Sequence, residues 1–288
     1  MLKLMATYDS ELESLASLRQ SPEPQPSEPI KIGTLRSLGT AVPLVAEKLR
    51  LFSAAGLNVE EHLYDYATDM LKDLLAGDLS FSYGGMAAFL EYKRKDLQLE
   101  ILAACNSGGH ALVVKKDLGI ASIQDLENKT LLIPPESTVT YQLFSAFLET
   151  ECPSLAGKIH LETSISPMNM PFALEFDERY AAMAIWEPWV SFAETRFADL
   201  FVLLDFAQVW QDAVGRPYST SVLVSLGKTV IEQRDLVQTV LNIHESTINF
   251  LNEHPQQANN ILSEVLKMPL SVIDHARTRV SFHSGLQW

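Results

Sequence analysis

From residue 30 onward, short apolar runs alternate with stretches whose apolar positions recur every three or four residues. These are the periods of strand and helix. Residues 30–35 read as a first strand, and the polar turn Arg36-Ser37-Leu38-Gly39-Thr40 follows. A helix over 41–54 carries Val42, Val45, Leu49 and Phe52 on one stripe and tolerates Pro43 in its first turn. Residues 57–64 form a strand. A helix opening at 66–69 buries Met70, Leu71, Leu74 and Leu75, with Gly77 as its stop. A third strand over 79–83 ends at Gly84-Gly85, a helix runs through Tyr92, and 97–104 is a fourth strand. The pattern then predicts a loop at 106–110, a strand at 111–115, a turn with a short helix over 117–128, and a strand at 130–133. A helix over 138–150 buries Val139, Leu143, Phe144, Phe147 and Leu148. Strands at 159–163 and 180–186 flank a helical piece near 170–177. Strands at 201–204 and 218–224 are the last, and the remainder is helical over 229–253, 256–266 and 270–277. Such alternation implies an α/β fold with a mainly parallel sheet and right-handed crossovers.

Ahead of this domain, residues 8–19 place Leu12, Leu15 and Leu18 on one side of a short helix. Residues 21–29 then hold four prolines, a composition that extends as a linker and packs no core. No internal repeat interrupts the order.

At 288 residues the chain can bury a large core in one large or two modest domains. Apolar residues make up 47% and charged residues 20%, ordinary values for a globular protein. The net charge of −14 argues against a nucleic-acid partner for the body of the protein. Cys105 and Cys152 match no metal-ligand spacing and are too few for a disulfide framework; they are either reduced or joined in one bridge. No apolar run is long enough to span a bilayer. Residues 1–20 lack the apolar stretch and cleavage site of an export signal, so the protein stays inside the cell or a signal has been removed.

The chemistry-bearing stretch is Ile185-Trp186-Glu187-Pro188-Trp189, entered by the small apolar run 180–184. Open α/β sheets place ligands at strand ends, where side chains leave the sheet and face a crevice. Two indoles offer flat faces and donors, and Glu187 offers a charged acceptor. Packing of the strand end into a core explains the same residues.

Several landmarks in order resemble the solute-binding proteins of ABC importers for sulfonates, taurine, nitrate and thiamine pyrimidine precursors. They are AVPLVAEKLRLFSAAGLNV at 41–59, LLAG at 74–77, DLGIASIQDLENKT at 117–130 and AMAIWEPW at 182–189. The resemblance implies a periplasmic-binding-protein fold of type II, with two α/β lobes joined by a two-strand hinge and a ligand between them. Residues 1–29 would be an extension and linker. The first lobe would hold 30–110 and 208–288, and the second 111–207. It further implies a small-molecule ligand, ABC permease and ATPase partners, a monomeric state, no cofactor or metal, and a periplasmic or membrane-tethered location.

Within that frame the turn after the first strand supplies Arg36, Ser37 and Thr40, with Arg36 able to clamp a carboxylate or sulfonate. Tyr83 and Gly84 end the third strand, where glycine admits a ligand close to the backbone. Asn106 and His110 border the passage to the second lobe; His110 also reads as a hydrogen-bonded hinge residue. Ser137 and Thr138 open a helix, and its free amides make either an anion site or an ordinary cap. Trp186, Glu187 and Trp189 form the second-lobe wall, and the returning run Tyr218-Ser219-Thr220-Ser221, Ser219 first, brings hydroxyls to complete the cleft. Glu136 and Glu187 favour a ligand with a cationic or donor-rich part, an amine or aminopyrimidine before nitrate.

No sequence motif demands catalysis: nucleophile elbow, P-loop and zinc-protease helix are all missing. Desulfinases and pyrimidine synthases on the same fold are the rival reading, with a ligand sensor as a third. The desulfinases' nucleophilic cysteine would fall in the first turn, where this chain has Ser37-Leu38-Gly39. The synthases' cysteine cluster is also missing.

Overall fold

A computed structural model describes residues 29–94 and 98–285. The helix expected at 8–19 and the proline-rich linker up to residue 28 lie outside the described residues.

Eleven strands are described: β1 (Ile30–Leu35), β2 (Val59–Tyr64), β3 (Phe81–Gly85), β4 (Leu99–Gly108), β5 (His110–Lys115), β6 (Thr130–Leu132), β7 (His160–Glu162), β8 (Tyr180–Trp186), β9 (Leu200–Asp205), β10 (Ser219–Leu226) and β11 (Val280–Phe282). They form two sheets, ordered β11-β4-β10-β3-β1-β2 and β7-β6-β8-β5-β9. β5 and β8 are buried along their whole length, which is why 111–114 and 180–186 read as apolar runs. The edge strand β2 instead mixes exposed with partly buried positions.

The expectation of mainly parallel sheets is corrected. Parallel pairing joins β1 to β2 and β3, and β6 to β7 and β8. β10 runs antiparallel to β3 and β4, β11 to β4, and β5 to β8 and β9. The reason is topological: the chain leaves the first sheet at β4, works through the second, and returns at β10, so these strands enter their sheets reversed.

Three apolar clusters hold the layers. One packs the outer face of the first sheet under helices Ala67–Ala76 and Met86–Arg94. A second packs helix Val139–Glu151 and Phe206 on one face of the second sheet. The largest runs continuously from Ile32, Val45 and Phe52 through the C-terminal helices to Met183, Ile185 and Val190, and so joins both sheets. Burying so many large side chains, each at about 1.5–3 kcal/mol, is the main favourable term.

Other local expectations also shift. The helix expected over 41–54 breaks into Val42–Lys48 and Leu51–Ala54, because Arg50 takes a left-handed conformation (φ 57°) that turns Phe52 inward. The long helix splits into Gly227–Glu232 and Arg234–Glu253. Residues 106–108 and 110, expected as loop, continue the strands, with only Gly109 between β4 and β5. Helix Phe206–Val214 and strand β11 were not anticipated.

Candidate functional site

The carboxyl ends of β1, β2, β3, β6 and β8 converge on a crevice between the sheets. There, Leu35, Ser37, Thr40, Asp65, Tyr66, Ala67, Gly85, Ala88, His110, Ser137, Thr138, Val139, Trp186, Thr220 and Ser221 line a cavity of about 40 Å³. Both sheets contribute, as the strand-end rule requires.

The first wall is a turn closed on itself. Thr40 Oγ1 donates to Leu35 O at 3.0 Å, and Thr34 Oγ1 donates to Thr40 O at 2.6 Å. Leu38 N reaches across to Glu187 O at 3.0 Å, so this turn is tied directly to the second wall. Helices Val42–Lys48, Ala67–Ala76, Met86–Arg94 and Val139–Glu151 all begin at or next to lining residues. Their N-terminal ends carry partial positive charge and backbone donors.

On the second wall, Thr138 acts as the helix cap: its hydroxyl accepts from Tyr141 N at 3.3 Å and donates to Pro135 O at 2.8 Å. His110 Nδ1 meets Thr140 Oγ1 at 2.7 Å. Burial lowers the His110 pKa to about 3, so the ring is neutral at ordinary pH. Trp186 is buried, and its indole N–H finds no acceptor among the described residues. An unsatisfied buried donor is costly, about 1–3 kcal/mol, and marks a place for an acceptor.

A smaller recess beside the first is lined by Arg36, Asp65, Ser166, Pro167, Met168, Trp186 and Trp189. Arg36 Nε lies 3.3 Å from Asp65 Oδ1, with both side chains more than half exposed. Trp189 packs edge-on to Phe192 at 6.1 Å, and its indole N–H is also without a partner among the described residues.

Of the residues singled out from sequence, Ser37, Thr40, His110, Ser137, Thr138 and Trp186 line the cavity, and Arg36 and Trp189 line the recess. Five do not line either. Glu187 is a correction: its carboxylate is 1% exposed and turned away, accepting from Ser191 N at 3.0 Å, Ser191 Oγ at 2.8 Å and Arg279 Nη1 at 3.0 Å. Burial raises its pKa against the opposing pull of those hydrogen bonds and of Arg279. Tyr83 is a second correction, because strand alternation sends it into the core, 5.7 Å from the His244 ring. Gly84 faces Met70, Asn106 packs against Gly39, and Ser219 is buried beside Ser107 of β4. Glu136 is exposed and outside the lining set, so neither glutamate supports a cationic ligand.

Asp65 and Tyr66 were missed as site residues, although they follow the end of β2, where the strand-end rule would have found them. Gly85, Thr220 and Ser221, which lie in the strand-end turn and the returning segment singled out from sequence, also line the cavity. Among the described residues no group of three or more His, Cys, Asp or Glu is placed to hold a metal.

The sequence profile of the NMT1/THI5 like family matches residues 40–258. The chain belongs to that family. No curated protein sequence matches it. Among solved structures, this NMT1/THI5-like chain is similar to the ligand-binding component of an ABC-type import system from Staphylococcus aureus, solved with zinc bound. That likeness has a TM-score of 0.74 and 19% identity, over 90% of this chain and 86% of that one. It is similar to the periplasmic aliphatic sulphonate binding protein of Escherichia coli, with a TM-score of 0.73 and 17% identity over 92% and 86% of the two chains. It is also similar to the periplasmic nitrate-binding protein of Synechocystis, with a TM-score of 0.71 and 14% identity over 87% and 70%. At these identities the likeness establishes the fold, a two-sheet α/β architecture of periplasmic-binding-protein type.

Proposed function

We propose that this NMT1/THI5-like protein is the solute-binding component of an ABC import system, holding a small polar molecule between its lobes for delivery to a permease and its ATPase. In this reading the lobes are 30–110 with 208–288, and 111–207. The glycine connector between β4 and β5 and the return into β10 act as the hinge. The importer role places the protein outside the cytoplasm and gives it no catalytic task.

The observation that carries the reading is the donor-rich pocket: Trp186, whose indole N–H has no partner among the described residues, beside the capped start of helix Val139–Glu151. Donors and helix N-termini favour a solute that presents acceptor oxygens, as a sulfonate or taurine does. Because Glu187 is engaged by Arg279, the reason to expect a cationic group at that wall is gone. Asp65 at the rim is likewise engaged, by Arg36, so the pocket calls for acceptor oxygens and asks for no ammonium.

The test is a thermal-shift panel of alkanesulfonates, taurine, nitrate and thiamine pyrimidine precursors, because a ligand of the folded state raises the melting temperature. Taurine or a sulfonate should give the largest rise and be recovered unchanged by mass spectrometry. A solute that is consumed would turn the case to an enzyme on this fold.

A further inference from the structure

Behind the pocket lies a partly buried ionic cluster, centred on the fully buried Glu187, whose members are far apart in sequence. Arg279 Nη1 donates to Glu187 Oε1 at 3.0 Å and to Ser191 Oγ at 3.2 Å, and Nη2 donates to Glu194 Oε2 at 2.6 Å. His275 Nε2 meets the same Glu194 oxygen at 3.0 Å. Only 15% of the Arg279 side chain is exposed, so guanidinium and carboxylates each need the other.

The cluster joins the two sheets. Glu187, Ser191 and Glu194 follow β8 of the second sheet. Arg279 immediately precedes β11, which pairs with β4 in the first. The main chain of Glu187 adds two more ties, accepting from Leu38 N at 3.0 Å and donating to Gly109 O at 2.8 Å. The arginine also covers the connector: a Cβ on Gly108 would lie 2.4 Å from Arg279 O, and both Gly108 and Gly109 have positive φ. One residue, Glu187, therefore touches the first wall, the glycine connector and Arg279, and it is covalently next to Trp186.

We propose that Arg279 is a positioning residue for solute capture. By holding Glu187 it sets Trp186 against the Ser37–Thr40 wall and keeps the two sheets closed about Gly108 and Gly109. The proposal rests on the reading of the pocket as a solute site, but its first test needs no solute.

Spin labels on the exposed positions of Glu47→Cys and Glu149→Cys would report the distance between the two sheets' helices in the full chain, with no solute added. Cys105 and Cys152 are buried and leave the introduced thiols as the reactive ones. Wild type should give one narrow distribution. Arg279→Met should give a longer and broader one, and Arg279→Lys, with the charge but not the planar fork, one in between. A merely structural arginine would lower the melting temperature without moving the distances in the folded protein. A folded Arg279→Met with the wild-type distribution would overturn the proposal. If that variant does not fold, Glu194→Gln takes its place, with a smaller shift expected and an unchanged distribution equally fatal.

Calorimetry with taurine forms the second arm. A tenfold loss of the closed population weakens apparent affinity about tenfold. If wild type binds no taurine, the solute reading suffers and the distance result stands on its own.

Discussion

The two walls of the cavity are built on different principles. The wall from the first sheet is a short turn of hydroxyl and small residues, held by local hydrogen bonds from Thr34 and Thr40, with an exposed Arg36–Asp65 pair at its rim. The wall from the second sheet is wired into the interior: His110 is fixed by Thr140, and the Trp186–Glu187 segment is anchored through Arg279. Charges in water interact weakly and charges out of water strongly, so equal-looking ion pairs on the two walls differ in what they hold. The second wall is therefore the more firmly fixed of the two.

The sharpest way to break this contrast is to remove a charge from the wired wall. Glu187→Ala should cost about 3 kcal/mol or more in urea denaturation, since it leaves the Arg279 cluster short of a counter-charge. A loss under about 1 kcal/mol would mean that the wiring is dispensable.

Acid comes next. An unfolded imidazole takes up a proton below about 6.5, whereas folded His110 and His244 resist until about 3 and about 4 because burial penalises the charged ring. Their contribution is therefore intact above pH 6.5 and is lost as pH falls, by about 2 kcal/mol for each between pH 6.5 and 5. His110→Asn should remove about half of that slope in melting temperature against pH. An unchanged slope would detach the second wall from acid sensitivity.

A smaller effect separates ring from donor at Trp186. Trp186→Phe keeps the apolar face and removes the N–H, so affinity for the solute that wins the thermal-shift panel should fall about fivefold, the worth of one hydrogen bond near 1 kcal/mol. Calorimetry showing equal affinity would place the acceptor elsewhere. The smallest effect is expected on the first wall, where Arg36→Ala should change stability by less than about 1 kcal/mol because its pair with Asp65 is exposed. A larger loss by urea denaturation would make the two walls alike.

Most strands and helices are legible in the sequence because their apolar periods are local: the β5 and β8 runs, the stripe on helix Ala67–Ala76, and the stop at Gly77 all sit within a few residues. Direction is not local. Nothing within β10 or β11 says that they pair antiparallel, since that follows from where the chain has been between. The same limit governs the site. Trp186 is readable at the end of an apolar strand, but the facing of Glu187 is decided by Arg279, 92 residues later. Tyr83 fails for a different reason: the strand runs two residues further than its apolar pattern, to Gly85, so the residue at its end is Gly85 and Tyr83 falls on the core side.

The size of the cavity carries a calorimetric consequence. About 40 Å³ accommodates only a few water molecules. A solute that seats its polar end there releases little ordered water, so its binding should draw on hydrogen bonds to the walls, with a favourable enthalpy opposed by the entropy of ordering.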